Sequence, residues 1–197
     1  MKKLLVAVLA LAVVGGFAAA ARADLEGSAV AAIHLKVTAN ISVTPQTPIV
    51  DAGSLQIGEV IVPIPFMVHA NTEAVKMWVT ATDLYKGDIP VAPTVHPIPL
   101  QTGEGALIEP ERASVKGGGS NVAPLPSTPN DVLQGFPAYR SSQITFESAE
   151  AGNFSHPVVV TLAWTLADNQ QPVGDYGGRV MLSAMVVPDT GVPGSGG

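Results

Sequence analysis

Ile33-His34-Leu35-Lys36-Val37-Thr38-Ala39-Asn40-Ile41-Ser42-Val43 alternates apolar and polar residues without a break. A period of two puts Ile33, Leu35, Val37, Ala39, Ile41 and Val43 on one face and the polar residues on the other, which marks a β-strand with one dry side. The run outlasts a typical strand of five or six residues, and Pro45 and Pro48 close it. The same alternation returns in Val60–Val68, in Val158-x-Val160-x-Leu162-x-Trp164-x-Leu166 and in Val180-x-Leu182-x-Ala184-x-Val186. Outside the N-terminal leader no stretch carries a 3.6-residue apolar stripe. The chain reads as all-β, with a β-sandwich as the expected architecture.

Between these runs the punctuation is glycine and proline. Ser54 to Val62 predicts a short strand carrying Leu55 and Ile57. Pro63 and Pro65 place the following segment at a sheet edge or a bulge, because each removes a ladder donor. Asn71-Thr72-Glu73 predicts a turn, and Ala74 to Asp83 a strand rich in β-formers. Residues 86–140 hold recurrent prolines and Gly117-Gly118-Gly119; they predict a loop-rich insertion with short strands near 106–108 and 113–115. Ser142 to Glu147 is a further short strand, and the Gly/Pro/Ser-rich segment 188–197 is a flexible tail.

The ends and the composition set the compartment. Lys2 and Lys3, the apolar run Leu4 to Val14, and Ala21-Arg22-Ala23 predict a signal peptide over residues 1–23, with a mature chain from Asp24; an uncleaved anchor is the other reading of the same residues. Residues 24–44 then form an N-terminal extension running into the first strand, and 45–187 a β-sandwich domain. Charged residues make up only 13%, and the formal net charge of −6 becomes more negative once Lys2, Lys3 and Arg22 are removed. An acidic surface repels a phosphate backbone and an anionic bilayer alike, so nucleic acid and membrane are poor partners. The chain has no cysteine, so its stability rests on core burial and strand pairing, and thiol chemistry is excluded.

Patterns that carry catalysis are missing. His34, His69, His96 and His156 stand in no metal-ligand spacing. The carboxylate pairs Glu109/Glu111 and Asp83/Asp88 lie in or near loops with nothing to aim them. Gly117-Gly118-Gly119-Ser120 lacks the lysine of a phosphate loop. Asn40-Ile41-Ser42 and Asn153-Phe154-Ser155 match a glycosylation sequon. Trp164 shares the phase of Val160 and Leu162 and so reads as core; Trp78 is the other tryptophan available to a sugar platform. No enzyme and no cofactor are expected.

Two stretches resemble a known family. Ala29 to Val43 is similar to the opening strand of spore coat protein U-type and archaic chaperone–usher pilins. Pro172-Val173-Gly174-Asp175-Tyr176-Gly177-Gly178-Arg179-Val180-Met181-Leu182-Ser183-Ala184-Met185 resembles their closing signature, a proline-x-Gly-x-Tyr followed by an alternating strand. The resemblance implies an immunoglobulin-like sandwich that lacks its last strand and is completed by a donor strand from another subunit. Carried over, Ile33, Leu35 and Val37 are the donor residues, and Val180, Leu182, Ala184 and Val186 line the acceptor groove. The implied partners are copies of the chain or related pilins, a periplasmic chaperone and an outer-membrane usher. The implied route is export through the periplasm to a cell-surface fibre. Two other readings stay open on the residues alone: the first strand pairs within its own sandwich, or the chain is a self-complete secreted sandwich that binds glycan or another surface.

Overall fold

The computed structural model describes residues 35–90, 95–117 and 119–187. Twelve strands and one short 3-10 turn, Arg112–Ser114, account for the regular structure, and no α-helix occurs among the described residues. In chain order the strands are β1 (Ile41–Pro45), β2 (Gly58–Ala70), β3 (Ala74–Thr82), β4 (Tyr85–Lys86), β5 (Ala106–Pro110) and β6 (Asn121–Ala123). There follow β7 (Asp131–Leu133), β8 (Phe136–Arg140), β9 (Ile144–Glu147), β10 (Phe154–Leu166), β11 (Tyr176–Gly177) and β12 (Val180–Val186). The protein is all-β, with every ladder antiparallel.

One sheet has the order β1-β2-β10-β5-β6. The second has the order β12-β3-β8-β7, with β9 also paired to β3, and β4 and β11 form a small ribbon. The backbone of the first sheet is the β2–β10 pair, thirteen residues each, in register from Gly58 opposite Leu166 to Ala70 opposite Phe154. Their alternation explains the pairing. Val62, Ile64, Phe66 and Val68 face inward from β2, and Val158, Val160, Leu162 and Trp164 from β10. Val75, Met77, Val79 and Ala81 of β3 meet them from the second sheet, so both sheets share one core. Trp164 also reaches across: its Nε1–H donates to the Thr82 carbonyl at 2.9 Å.

Several expectations change. The leading strand is shorter than its alternation. Only Ile41–Pro45 is in a ladder, whereas residues 35–40 lie outside any strand. The reason is a missing partner: β1 pairs with Phe66 to Ala70, and beyond Ala70 the chain turns into β3. Leu55 and Ile57 precede a strand rather than forming one, because β2 begins at Gly58. Residues 113–115 make a 3-10 turn and an isolated bridge at Val115, not a strand. Segment 86–140 contains four short strands, two in each sheet. β7 and β8 are joined by Gln134-Gly135, both at positive φ, the two-residue hairpin turn whose twist suits antiparallel strands.

Candidate functional site

The sheets differ at one edge. β12 ends the second sheet and pairs only with β3 among the described residues. In an antiparallel ladder, alternate residues aim both backbone groups at the partner and the residues between aim them away. Thr82 N–H donates to Arg179 C=O at 3.0 Å, and Val187 N–H donates to Ala74 C=O at 3.0 Å. Odd-numbered residues of β12 therefore face β3. The N–H and C=O groups of Val180, Leu182, Ala184 and Val186 point out of the sheet. Their side chains turn inward: Leu182 is 4% exposed, and Val180, Ala184 and Val186 are half-buried against the core. Met181 and Met185, on the other face, are exposed.

Across from this edge lies β1, whose Cα atoms come within 8 Å of β12, with no ladder between the two. Ile41 and Val43 are half-buried against the same core. The start of β1 is held by one side chain, Asn71 in the β2–β3 turn. Its Oδ1 accepts from Asn40 N–H at 2.5 Å, and its Nδ2 donates to Thr38 C=O at 3.0 Å. Leu35 and Val37, two of the predicted donor residues, lie outside any strand and are 83% and 76% exposed. Ile33 lies outside the described residues, as do residues 1–23, expected to be a signal peptide, and residues 188–197, expected to be a tail.

The Pro172–Arg179 motif fixes the entry to β12. Tyr176 Oη–H donates to the Pro172 carbonyl at 2.7 Å, closing the chain back on itself four residues upstream. Gly177 and Gly178 are there because neighbours crowd them. A Cβ on Gly178 would stand 2.8 Å from Leu84 Cδ2 and 3.0 Å from the Asp83 carbonyl, and one on Gly177 would stand 2.9 Å from Asp88 Oδ1. Arg179 then makes a two-pronged pair with the Asp88 carboxylate, bonds Gln134 Oε1 at 3.1 Å, and covers the Phe136 ring.

The groups considered for catalysis are dispersed. His69 Nδ1 lies 2.5 Å from Ser155 Oγ on the surface, and His156 Nε2 lies 3.1 Å from Ser148 Oγ in the interior. The His96 carbonyl accepts from Gln171, and His34 is outside the described residues. Asp83 and Asp88 do not form a pair. Asp83 is buried, with Leu100 N–H at 2.8 Å and Tyr139 Oη at 3.4 Å, and burial raises its carboxyl above the ordinary range. The same cluster pushes the Tyr139 phenol up to about 12, through desolvation first and the nearby Asp83 charge second. Glu109 belongs to β5, while Glu111 follows it. No group of three metal-ligating side chains occurs among the described residues. Trp164 is core, and Trp78 is half-buried beneath the Arg140 guanidinium, 4.9 Å from the ring centre.

Sequence reasoning gave Asn71 no role beyond its turn, placed Ile41 and Val43 on the dry face of the leading strand without separating them from the donor residues, and met Tyr176 only as part of the closing signature. The signature's four-residue spacing is that of the Tyr176–Pro172 bond; Asn71 looked like an ordinary turn residue. Scans against family models, curated proteins and solved structures each give no match.

Proposed function

We propose that the chain is an exported, non-catalytic structural subunit that assembles into a cell-surface fibre by strand donation. The N-terminal extension of one copy lies along β12 of the next, with Leu35 and Val37, preceded by Ile33, in the half-buried row beneath it. The single observation that carries this reading is the edge of β12: four residues with outward backbone groups above an apolar row that is incompletely covered. Added strands gain affinity from such groups and specificity from alternate side chains. A head-to-tail contact that does not close on itself makes a filament.

The strand order supports a finer reading. An immunoglobulin sandwich has strands A-B-E-D in one sheet and C-F-G in the other. Here β1, β2, β10 and β5 follow the order of A, B, E and D, while β3 and β12 stand as C and F. The place of G is the outer edge of β12. The Tyr176–Pro172 bond sits where such sandwiches carry a tyrosine corner, just before strand F. On this reading a periplasmic chaperone covers the edge during transit, an outer-membrane usher exchanges it for a neighbouring subunit, and β1, which leans toward β12, moves aside as the strand enters.

The absence of cysteine gives a clean test. Mature chains carrying Leu35→Cys and Ala184→Cys separately are mixed and oxidised. A heterodimer that forms faster than either homodimer is the expected result. A mixture that stays monomeric at high concentration, or a doubly substituted chain that closes only on itself, overturns the proposal.

A further inference from the structure

The cleft beside β12 has two lips, and they differ in one respect. On the first sheet, Asn71 N–H donates to Asn40 C=O at 3.2 Å, so Ser42 and Thr44 face β2 while Ile41, Val43 and Pro45 aim their backbones at the cleft. β1 stops at Pro45, and the lip continues along β2. Gln46 N–H donates to Pro65 C=O at 2.9 Å, so Pro65 faces away from β10. By the same two-residue repeat, Pro63, Ile61 and Glu59 do so as well. Proline thus occupies three of the outward-facing positions on this lip: Pro65, whose carbonyl Gln46 already takes, and Pro45 and Pro63, which lack the N–H that a new strand would need. On β12 the outward positions are Val180, Leu182, Ala184 and Val186, none of them proline.

The geometry makes the difference matter. Val186 of β12 is opposite Val75, near the turn that follows Ala70, and Val180 is opposite Ala81, toward the other end. A strand laid along β12 therefore passes β1 first and then the half of β2 that β1 leaves uncovered. Beyond Gln46 that half has no ladder partner among the described residues, and Ile61 on it is an exposed apolar side chain. An edge of this kind invites pairing with other chains unless something blocks it.

We infer that the cleft is a one-sided socket. It takes a single strand, the extension of a second copy, on the β12 lip alone, and Pro45, Pro63 and Pro65 shut the opposite lip against a second one. This rests on the strand-donation reading and adds to it the choice of edge. The prolines are then specificity-determining residues: they keep each subunit to one donor and prevent side-by-side pairing of subunits through β2.

The test uses the mature chain at a concentration where it is monomeric, with a synthetic peptide of residues 28–43 as the probe and amide hydrogen exchange as the readout. Exchange at Leu182, Ala184 and Val186 is expected to slow by about tenfold or more, with no slowing at Glu59 or Ile61. The Pro63→Val/Pro65→Thr variant is expected to gain protection at positions 59–65 and to bind a second peptide or self-associate. Pro63→Val alone, at an exposed site, serves if the double variant does not fold. Protection at Glu59 and Ile61 in the unaltered chain, or no gain at positions 59–65 in either variant, overturns the one-sided socket and leaves strand donation standing. No protection at β12 overturns both.

Discussion

β10 and β12 carry the same kind of sequence and meet different fates. Val158, Val160, Leu162 and Trp164 on one and Val180, Leu182, Ala184 and Val186 on the other are apolar at every second position. β10 has a partner on each side, β2 and β5, and its inward row is buried. Among the described residues β12 has β3 alone, and only Leu182 of its inward row is fully covered. Alternation specifies which way side chains point. Neighbouring strands decide whether the row is sealed. With one partner, β12 leaves the backbone groups of its other edge outside any ladder among the described residues.

The sharpest way to break this comparison is a matched pair of truncations. Leu162→Ala removes a sealed side chain and is expected to cost about 2–5 kcal/mol in urea unfolding. Val186→Ala removes a half-covered one and is expected to cost under about 1 kcal/mol in the monomer, while weakening strand uptake. Equal losses in the monomer would mean that the β12 row is already closed. Next in size is Gly178→Ala, which forces a methyl against Leu84 and the Asp83 carbonyl. It is expected to cost about 1–3 kcal/mol, read from the same unfolding curve. Tyr176→Phe, which deletes the bond to Pro172, is expected to cost about 0.5–1.5 kcal/mol and to quicken amide exchange at the start of β12.

The gentlest effect is a pH slope on the sealed side. Burial lifts Asp83 above its ordinary value of 3.8, more than the Leu100 and Tyr139 hydrogen bonds lower it. The folded chain therefore keeps this proton to a higher pH than the unfolded chain does. Stability is greatest below the ordinary carboxyl value and falls as pH rises through the window between that value and the raised one. Asp83→Asn is expected to flatten this slope in thermal melts taken across the acid range. An unchanged slope would place the titrating group elsewhere.

Much of the fold was legible. The phases of β2, β10 and β12 follow directly from period two, β3 was legible from its β-formers, and Pro63, expected at an edge or a bulge, faces the side of β2 that the β1 ladder does not reach. The shortness of β1 was not legible, because its limit is set by where β2 turns at Asn71 rather than by its own residues. β6, β7 and β8 escaped because strands of three to five residues hold too few positions to show a period. At the candidate site, the sequence pointed to the alternating row of β12 but not to the wall opposite it. Ile41 and Val43 looked like a continuation of the extension, and only the register with Ala70 and Val68 sets them apart from Leu35 and Val37.

The amide fork of Asn71 has a mechanical consequence. Any pull on the leading segment arrives at Thr38 and Asn40 before it reaches β1, and both are gripped by a single side chain rooted between β2 and β3. Tension is thereby handed to the turn that ties the two sheets together, instead of peeling β1 from its end one bond at a time. If copies are joined through this segment as proposed above, Asn71→Ala is expected to lower the force at which β1 detaches in single-molecule stretching.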